Sequence, residues 1–322
     1  MRTFLVTGGA GFIGSHLCEA LLRRRHGVRV LDDLSSGSRA NLPPGVEFLQ
    51  GDIGCSETVS RALEGVAGCF HLAAIASVER GVRDWLGTHR VNLTGTITIL
   101  EAIRRRSGSG APIPFVYASS AAVYGDAAAS PLTEQTEKRP LSAYGADKLA
   151  CELHAAVGSH VHGIPTVGLR FFNVFGPRQD PQSPYSGVIS IFCDRLLRDA
   201  PVEIYGDGLQ TRDFVYVDDV VGALLNAMGD RDARPPAPPD VSPDVFNVCS
   251  GTPVSVLDLV HAIAELAGRR PEIRFMPPRA GEVRHSAGCP KAARARLAVP
   301  EPTPLRAGLA RTLAWLRDNA AA

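Results

Sequence analysis

Tyr144 and Lys148 are the two residues of this chain whose types and spacing point most clearly to proton chemistry. They lie four residues apart where a helix is predicted to begin, at about residue 145 and continuing to 157, and residues at this spacing on a helix project from one face. A tyrosine in water has a pKa of about 10, and lowering it to about 7 requires about 4 kcal/mol of preference for the phenolate. A nearby lysine ammonium supplies part of that preference. The pair therefore predicts a tyrosine base, and an ordinary pair on a helix surface is the alternative.

Ser120 is the third candidate for this site. It follows an apolar run over residues 113–117, which predicts a buried strand. The serine hydroxyl is then expected at the carboxyl edge of a sheet, where ligands of open α/β sheets bind. There it can relay a proton or hold the reacting oxygen of a substrate.

The elements that must position these residues alternate between strand-like and helix-like segments. Repeated units of this length predict an α/β fold, a Rossmann-like doubly wound parallel sheet. Short apolar runs predict strands at residues 2–6, 28–31, 46–49, 69–72, 113–117 and 166–170. Apolar residues at helical spacing predict helices at 58–63, 91–103, 145–157, 187–197, 256–266 and 305–316.

The stretch from Thr7 to Gly14 places four glycines between a predicted strand and a predicted helix, and three of them are spaced three residues apart. Gly8, Gly11 and Gly14 let the chain turn tightly and leave room for a pyrophosphate to approach the backbone. The first turn of the following helix offers free N–H groups and a partial positive charge to that anion. The loop therefore predicts a dinucleotide site, and a glycine turn without a ligand is the alternative.

Asp32 ends the next predicted strand, about 20 residues after the glycine loop. A carboxylate there accepts hydrogen bonds from both hydroxyls of an adenosine ribose and repels a 2′-phosphate, which favours NAD over NADP. Asp33, Ser36 and Gly37 follow and can add polar contacts. Asp52 is expected after the third strand, where it can meet the adenine amino group, although a solvated loop carboxylate explains it equally well.

The composition narrows the classes of function. A chain of 322 residues with 45% hydrophobic and 21% charged residues is typical of a globular enzyme, and a net charge of +1 favours neither nucleic acid nor an anionic membrane as a partner. Seven cysteines without Cys-x2-Cys spacing argue against zinc and against a disulfide framework. No signal peptide and no apolar run of the ~18 residues of a membrane span are recognised. We therefore expect a cytoplasmic enzyme without a metal, with a proline-rich surface excursion at residues 234–244.

Together these motifs resemble the extended short-chain dehydrogenase/reductases, and among them the NDP-sugar epimerases of the UDP-glucose/UDP-N-acetylglucosamine 4-epimerase type. The resemblance spans nearly the whole chain. It implies an NAD-binding Rossmann domain over residues 1–172 and a smaller C-terminal α/β domain for the sugar nucleotide over 173–322, with some strands returning to the first sheet. It is carried by residues 7–14, 31–37, 71–74, 92–96, 144–148, 169–179, 206–219 and 279–286.

The resemblance also implies a role for each matching residue. Tyr144 is the base, Lys148 is its partner and a ligand of the nicotinamide ribose, and Ser120 bonds the sugar. Tyr205 packs on uracil, the arginines hold the diphosphate, and Ser77 and Gln179 line the hexose. Besides the residues already named, the cofactor is bound by Phe12, Ile13, Ile53, Leu72, Ala73, Ala74, Asn92 and Phe171. The substrate is bound by Ser77, Ser120, Asn173, Gln179, Gly187, Val188, Tyr205, Arg212, Arg279 and Ser286.

The two residues after Ser120 separate this chain from related families. Sugar-nucleotide 4,6-dehydratases place an Asp-Glu pair there, because loss of water needs an acid and a base, and decarboxylases keep a glutamate. Ala121 and Ala122 transfer no proton. The resemblance therefore implies a 4-epimerase of UDP-hexoses that works through a transient 4-keto sugar.

The identity of the sugar is tied to Ser286. In the resembled family, the position seven residues after the diphosphate-binding arginine lies beside the C2 substituent, and that count from Arg279 reaches Ser286. A small residue there implies that N-acetylated sugars are accepted alongside plain hexoses.

Two alternative functions stay open. One is a UDP-glucuronate 4-epimerase with Arg178 as the cation near C6, and the other is a catalytically idle sensor of NAD or nucleotide sugar. The resemblance also implies a homodimer formed through the helices near residues 92–104 and after Tyr144.

Overall fold

The computed structural model of the protein describes residues 1–107, 112–127, 130–183, 187–229, 244–278 and 283–319. Arg279 lies outside these residues, and so does the predicted excursion at 234–244 apart from its last residue, Asp244.

Strands and helices alternate along the first half of the chain, as predicted. The strands of the described residues are β1 (Thr3–Thr7), β2 (Gly27–Asp32), β3 (Glu47–Gln50), β4 (Gly68–His71), β5 (Phe115–Ser120), β6 (Thr166–Phe171), β7 (Asn173–Phe175), β8 (Val202–Tyr205), β9 (Thr211–Tyr216), β10 (Val245–Val248), β11 (Pro253–Ser255) and β12 (Ile273–Met276). The α-helices there are α1 (Phe12–Arg23), α2 (Ser56–Ala62), α3 (Val78–Arg83), α4 (Trp85–His89), α5 (Gly95–Ser107), α6 (Ala143–His162), α7 (Val188–Leu197), α8 (Val217–Met228), α9 (Val256–Ala267), α10 (Lys291–Leu297) and α11 (Leu305–Asn319).

Within the described residues, seven parallel strands form the main sheet in the order β10-β6-β5-β4-β1-β2-β3. The predicted doubly wound α/β fold is confirmed. The strand order reverses between β1 and β4, and in such folds this switch point is where a ligand binds. The strand β10 belongs to the second half of the chain and pairs with β6. Two smaller sheets, β11-β9-β7 and β12-β8, lie outside the main one.

Hydrophobic cores cover both faces of the main sheet, which explains why its strands read as nearly continuous apolar runs. In β1, Phe4 and Val6 pack into the core on one face and Leu5 packs into the core on the other. A further core joins α7, α9 and α11 to the smaller sheets. The carboxyl edge of the main sheet therefore meets a second packed unit, and the cleft between them can hold a ligand.

The helix predicted over residues 91–103 is regular only in its later part. Residues Arg90–Thr94 form a π-helical turn, and α5 begins at Gly95. Asn92 lies in this turn, and its side-chain amide bonds both the N–H and the carbonyl of Ile75, at 2.7 and 3.1 Å. These two bonds stabilise a widened turn that helical periodicity alone does not reveal, and such turns are frequent at functional sites.

A buried ion pair joins α6 to the sheet. Arg170 on β6 donates to both carboxylate oxygens of Glu152 on α6, at 2.8 and 2.7 Å, and both side chains are less than one-tenth exposed. Ser119 on β5 donates to the same carboxylate. Arg170 also donates to the Tyr124 hydroxyl, which in turn donates to Asn247 on β10. This network connects α6 to three neighbouring strands of the sheet.

We expect Arg170→Met to destabilise the protein by about 3–5 kcal/mol, because removing one partner leaves the Glu152 carboxylate buried without its cation. Urea denaturation followed by circular dichroism measures the effect. Arg105→Met is the matched control, because Arg105 pairs with Glu101 on the exposed surface of α5. Its denaturation midpoint should stay close to that of the wild type. Equal shifts in the two variants would contradict the structural role of the buried pair.

Candidate active site

A cavity of about 830 Å³ runs along the carboxyl edge of the main sheet. It extends from the glycine loop and Asp32 to Tyr144, and so brings together residues that are far apart in the sequence. Most predicted cofactor and catalytic residues line it. They are Gly8, Gly11, Phe12, Ile13, Gly14, Asp32, Asp33, Ser36, Asp52, Ile53, Leu72, Ala73, Ala74, Ser120, Tyr144, Lys148 and Phe171.

The glycine loop is held by close backbone contacts. Gly8 has a φ of +69°, and a Cβ at that position would lie 2.6 Å from the backbone nitrogen of Ala73. A Cβ on Gly14 would collide with the carbonyl of Gly8. The helix α1 begins after Gly11, which offers no side-chain cap to its first turn. The loop thus presents backbone N–H groups at the positive end of a helix, as an anionic pyrophosphate requires.

Asp32 is held rigidly at the end of β2. Its two carboxylate oxygens accept from the backbone N–H groups of Ala10 and Leu34, both at 2.9 Å. Burial raises the pKa of this carboxyl above its ordinary value, and the two backbone bonds oppose that shift. Each oxygen retains further acceptor capacity for a ribose hydroxyl.

Gly37, also predicted to bind the cofactor, does not line the cavity. Its backbone lies so close to Ala10 that a Cβ would sit 2.8 Å from the Ala10 carbonyl carbon.

Tyr144 and Lys148 share one face of α6, as predicted. The Lys148 ammonium is almost fully buried, lies 5.9 Å from the centre of the Tyr144 ring, and donates to the carbonyl of Ala118 at 2.8 Å. This bond uses one of its three N–H groups and leaves two for other acceptors. Ser120 ends β5 beside Ala118, and its hydroxyl accepts from the N–H of Ala122 at 3.1 Å. A hydroxyl, a phenol and a fixed cation therefore line the same cavity.

Gly145 allows this arrangement, although the sequence analysis assigned it no role. A Cβ at this position would lie 2.6 Å from the carbonyl of Ala122. Only a glycine lets the first turn of α6 approach the 3₁₀ turn Ala121–Tyr124 so closely. The contact brings the start of α6, which carries Tyr144, close to the turn that follows Ser120. The glycine next to the candidate base was the sequence signal for this close approach.

His71 supports the cavity wall from behind. It is fully buried, and its two ring nitrogens bond the hydroxyls of Thr7 and Thr96 at 2.7 and 2.9 Å. Burial, assisted by the nearby Lys148 cation, lowers the pKa of His71 to about 3. The imidazole is therefore neutral near pH 7, and its role is to join β1, β4 and α5.

Several residues predicted to bind a ligand do not line either cavity described for this chain. Asn92 lies behind the wall and fixes Ile75, which does line the main cavity. Ser77 is buried and caps α3 by accepting from the N–H of Arg80. Val188 begins α7, directly after the cavity-lining Gly187. Arg212 donates to the carbonyl of Thr211, and the Ser286 N–H donates to that same carbonyl.

The part of the main cavity expected to hold the sugar is lined by Asn173, Gln179 and Gly187. The Gln179 amide nitrogen donates to the carbonyl of Val174 at 3.3 Å, and its oxygen is buried without a hydrogen-bond partner in the described structure. An acceptor in that state is suited to a hydroxyl group of a ligand. The same cavity is also lined by residues at the C-terminal end of α7 and on α11 that no sequence motif indicated. They are Asp194, Leu197, Arg198, Trp315, Leu316 and Asn319.

A second pocket of about 730 Å³ opens where β8 and β12 end. It is lined by Tyr205, Gly206, Asp207, Gln210, Phe275, Met276, Pro278, Val283 and Arg284. Arg284 forms a two-pronged ion pair with Asp207 at 2.9 and 2.7 Å on its half-exposed rim. Tyr205 thus lies in a partly apolar pocket of a size that suits a nucleobase.

Arg178, the candidate cation for a uronic acid, is already paired. Its guanidinium donates to Glu19 at 2.7 Å and lies 3.0 Å from His16, both on α1. The Arg178 hydrogen bond holds the pKa of Glu19 below its ordinary value. A carboxylate of the protein therefore already neutralises the charge of Arg178.

Across the described part of the chain, no cluster of three or more His, Cys, Asp or Glu residues has a geometry that could hold a metal ion. Likewise, none of the helices in the described ranges is long and apolar enough to span a membrane. All seven cysteines are free thiols.

Comparison with known proteins agrees with this geometry. Residues 4–249 match the model of the NAD dependent epimerase/dehydratase family. The chain is 38% identical to the UDP-glucose 4-epimerase of Mycolicibacterium smegmatis over 99% of both chains. It superimposes on the UDP-glucose 4-epimerase of Thermotoga maritima with a TM-score of 0.91 and 35% identity, covering 99% of both chains.

A third similar protein is the UDP-N-acetylglucosamine 4-epimerase of Methanobrevibacter ruminantium, solved with UDP-N-acetylmuramic acid. Its TM-score is 0.89, at 30% identity over 98% of both chains.

The chain belongs to the NAD-dependent epimerase/dehydratase family. It is an enzyme of the isomerase class, and its cofactor is NAD. The residues of the main cavity fit that cofactor, because the glycine loop leaves space for a pyrophosphate and Asp32 offers carboxylate oxygens to the adenosine ribose.

If Tyr144 is the base, as its type and spacing predict, we expect Tyr144→Phe to lower kcat by ~10²–10⁴-fold, because only the phenol hydroxyl is removed. Bound NAD, measured by absorbance after release from the protein, should be unchanged. Ser120→Ala is the comparison variant and should reduce kcat less, because it removes a hydrogen bond while the base remains. Near-wild-type turnover by Tyr144→Phe would contradict the assignment.

Proposed function

We propose that the protein is a UDP-hexose 4-epimerase that interconverts UDP-N-acetylglucosamine and UDP-N-acetylgalactosamine, and also UDP-glucose and UDP-galactose. The observation that carries the proposal is the placement of Tyr144, Lys148 and Ser120 along one cavity, with alanines at positions 121 and 122. This set can move one proton at a sugar hydroxyl. It offers no second acid–base pair for the removal of water, so epimerisation is the simplest reaction that it supports.

Each catalytic side chain has a separate task in this proposal. Tyr144 takes the proton of the sugar 4-hydroxyl and later returns it, while Ser120 holds the same oxygen. Lys148, fixed by the Ala118 carbonyl, stabilises the phenolate through its charge. Bound NAD supplies the hydride acceptor and donor at sugar C4. Since the cofactor is regenerated in every cycle, the purified protein should carry NAD and need none added.

The remaining substrate contacts belong to the same proposal. Gln179, with its unpartnered oxygen, faces the hexose, and the N-terminus of α7 after Gly187 favours the diphosphate. Arg212 and Arg279 provide guanidinium groups for that diphosphate. Tyr205 packs against the uracil. We also propose a cytoplasmic location, because the cysteines are free thiols and thiols stay reduced in the cytosol.

Acceptance of N-acetyl sugars depends on Ser286 in this proposal. Its N–H bonds the carbonyl of Thr211, so it runs beside β9 and Arg212. Two residues later, Gly288 packs against the ring of Phe172, which lines the main cavity. Ser286 itself lines neither of the two cavities. We propose that its segment approaches the sugar when substrate is bound, and that a serine there leaves room for an acetamido group.

A UDP-glucuronate 4-epimerase is the second candidate function. The ion pair of Arg178 with Glu19 argues against it. A uronate would have to compete with a carboxylate that the protein itself supplies. Activity on UDP-glucuronate in the absence of activity on UDP-glucose would establish this alternative. Failure to convert any UDP-sugar would instead favour a non-catalytic sensor.

We expect Ser286→Tyr to abolish conversion of the N-acetylated pair and to spare UDP-glucose and UDP-galactose, since the added ring excludes the acetamido group by steric clash. The measurement is kcat/KM for both substrate pairs, with products separated by chromatography. Ser286→Ala is the matched control and should convert both pairs. Equal losses for both pairs in Ser286→Tyr, or a wild type inactive on the N-acetylated pair, would contradict the placement of the sugar.

We further propose that the enzyme is a homodimer formed through α6 and its neighbouring helices. Leu153, Val157 and Val161 repeat every four residues along α6 and are 61%, 52% and 62% exposed. Trp85 and Leu86 on the adjoining α4 are also largely exposed. A group of exposed apolar side chains on two adjoining helices suits burial against a second copy.

Leu153→Glu should convert the dimer to a monomer, because it places a charge among these apolar side chains. Analytical ultracentrifugation at micromolar concentration measures the mass. Leu209→Glu is the control, since Leu209 is 54% exposed but lies outside these helices, and it should leave the mass unchanged. A monomeric wild type would refute the proposed interface.

A further inference from the structure

Gln210 has an unmet hydrogen-bonding capacity in the second pocket. The residue is only 5% exposed and lines the pocket beneath Tyr205. Its amide nitrogen donates to the backbone carbonyl of Tyr205 at 2.8 Å, whereas its amide oxygen is buried without a hydrogen-bond partner in the described structure. A buried acceptor left in this state is costly unless a ligand or a water satisfies it.

The orientation of this amide is fixed by its surroundings. Turning it by 180° would place its oxygen against the Tyr205 carbonyl, and two acceptors repel. The backbone carbonyl of Gln210 accepts from Val256 at the start of α9, which holds the residue in place. The pocket therefore presents a preorganised acceptor that cannot change into a donor.

We propose that Gln210 selects the nucleobase by accepting a hydrogen bond from the imide N3–H of uracil. The inference rests on the proposed UDP-sugar function and assigns a residue to the choice of base. Uracil carries a proton on N3, whereas N3 of cytosine carries a lone pair. Cytosine would therefore place an acceptor against the Gln210 oxygen and leave that oxygen unsatisfied.

Among the described side chains of the pocket, the apolar ones and the rim ion pair do not distinguish uracil from cytosine. Phe275 and Met276 provide apolar contact, and stacking on Tyr205 is possible for any base because every base has a π-face. The Asp207–Arg284 pair is half exposed on the rim, where water competes with it. A pocket of about 730 Å³ is also large enough for a purine, so its size does not enforce the choice.

Binding of UDP, CDP and N3-methyl-UDP to the full NAD-saturated chain tests the proposal by isothermal titration calorimetry. The wild type should bind UDP about 10- to 100-fold more tightly than CDP or N3-methyl-UDP, because each of these leaves the buried acceptor unpaired. Gln210→Met, which keeps the side-chain length, should weaken UDP binding about 10-fold and bring UDP and CDP to within about 3-fold of each other. Gln135→Met is the control, since Gln135 is exposed and lines neither cavity.

The outcomes separate this inference from the proposed function. A wild type that binds N3-methyl-UDP as tightly as UDP overturns the role of Gln210 without any mutation. A Gln210→Met variant that keeps the wild-type ratio of UDP to CDP affinity also overturns it. That result would indicate that the Gln210 oxygen binds only a water molecule. In either case conversion of UDP-sugars can persist, whereas loss of the proposed function is recognised by the absence of that conversion in the wild type.

Discussion

The ion pair between Glu152 and Arg170 is the interaction on which the site depends. It lies one helical turn beyond Lys148 on α6 and clamps that helix to β5 and β6, the strands that carry Ser119 and Phe171. Burying two charges costs several kcal/mol, and the pair is tolerable because its carboxylate oxygens are met by three donors. The pair in turn fixes the separation between α6, which carries Tyr144 and Lys148, and the carboxyl edge of the sheet.

Close backbone contacts, together with the ion pair, hold the segments around the main cavity in place. Gly145 lets α6 reach the turn after Ser120, and Gly8 lets the phosphate-binding loop reach Ala73. In both places a methyl group would push two segments apart, and the groups of the site would separate. The glycines are thus needed for packing around the cavity, in addition to the access that they give a ligand.

The chemistry of the site is limited as much by the residues that are missing as by those present. A tyrosine, a lysine and a serine can exchange a proton at one hydroxyl, and the alanines after Ser120 provide no further acid or base. In the proposed function, the nucleobase is recognised at a distance from this chemistry, in the separate pocket around Tyr205. A substrate with a reactive sugar at one end and a base at the other suits such a divided site.

The sequence by itself determined the fold class, the glycine loop, Asp32 and the group formed by Tyr144, Lys148 and Ser120, because each is encoded by spacing along one or two adjacent elements. The tertiary structure alone decided how distant segments meet. It paired Arg178 with Glu19, bonded the Asn92 amide to the backbone of Ile75, and bonded the Gln210 amide nitrogen to the Tyr205 carbonyl while leaving the Gln210 oxygen without a partner in the described structure. The physical reason is that hydrogen bonding and charge pairing depend on distance in space, whereas periodicity and motif spacing report only distance along the chain.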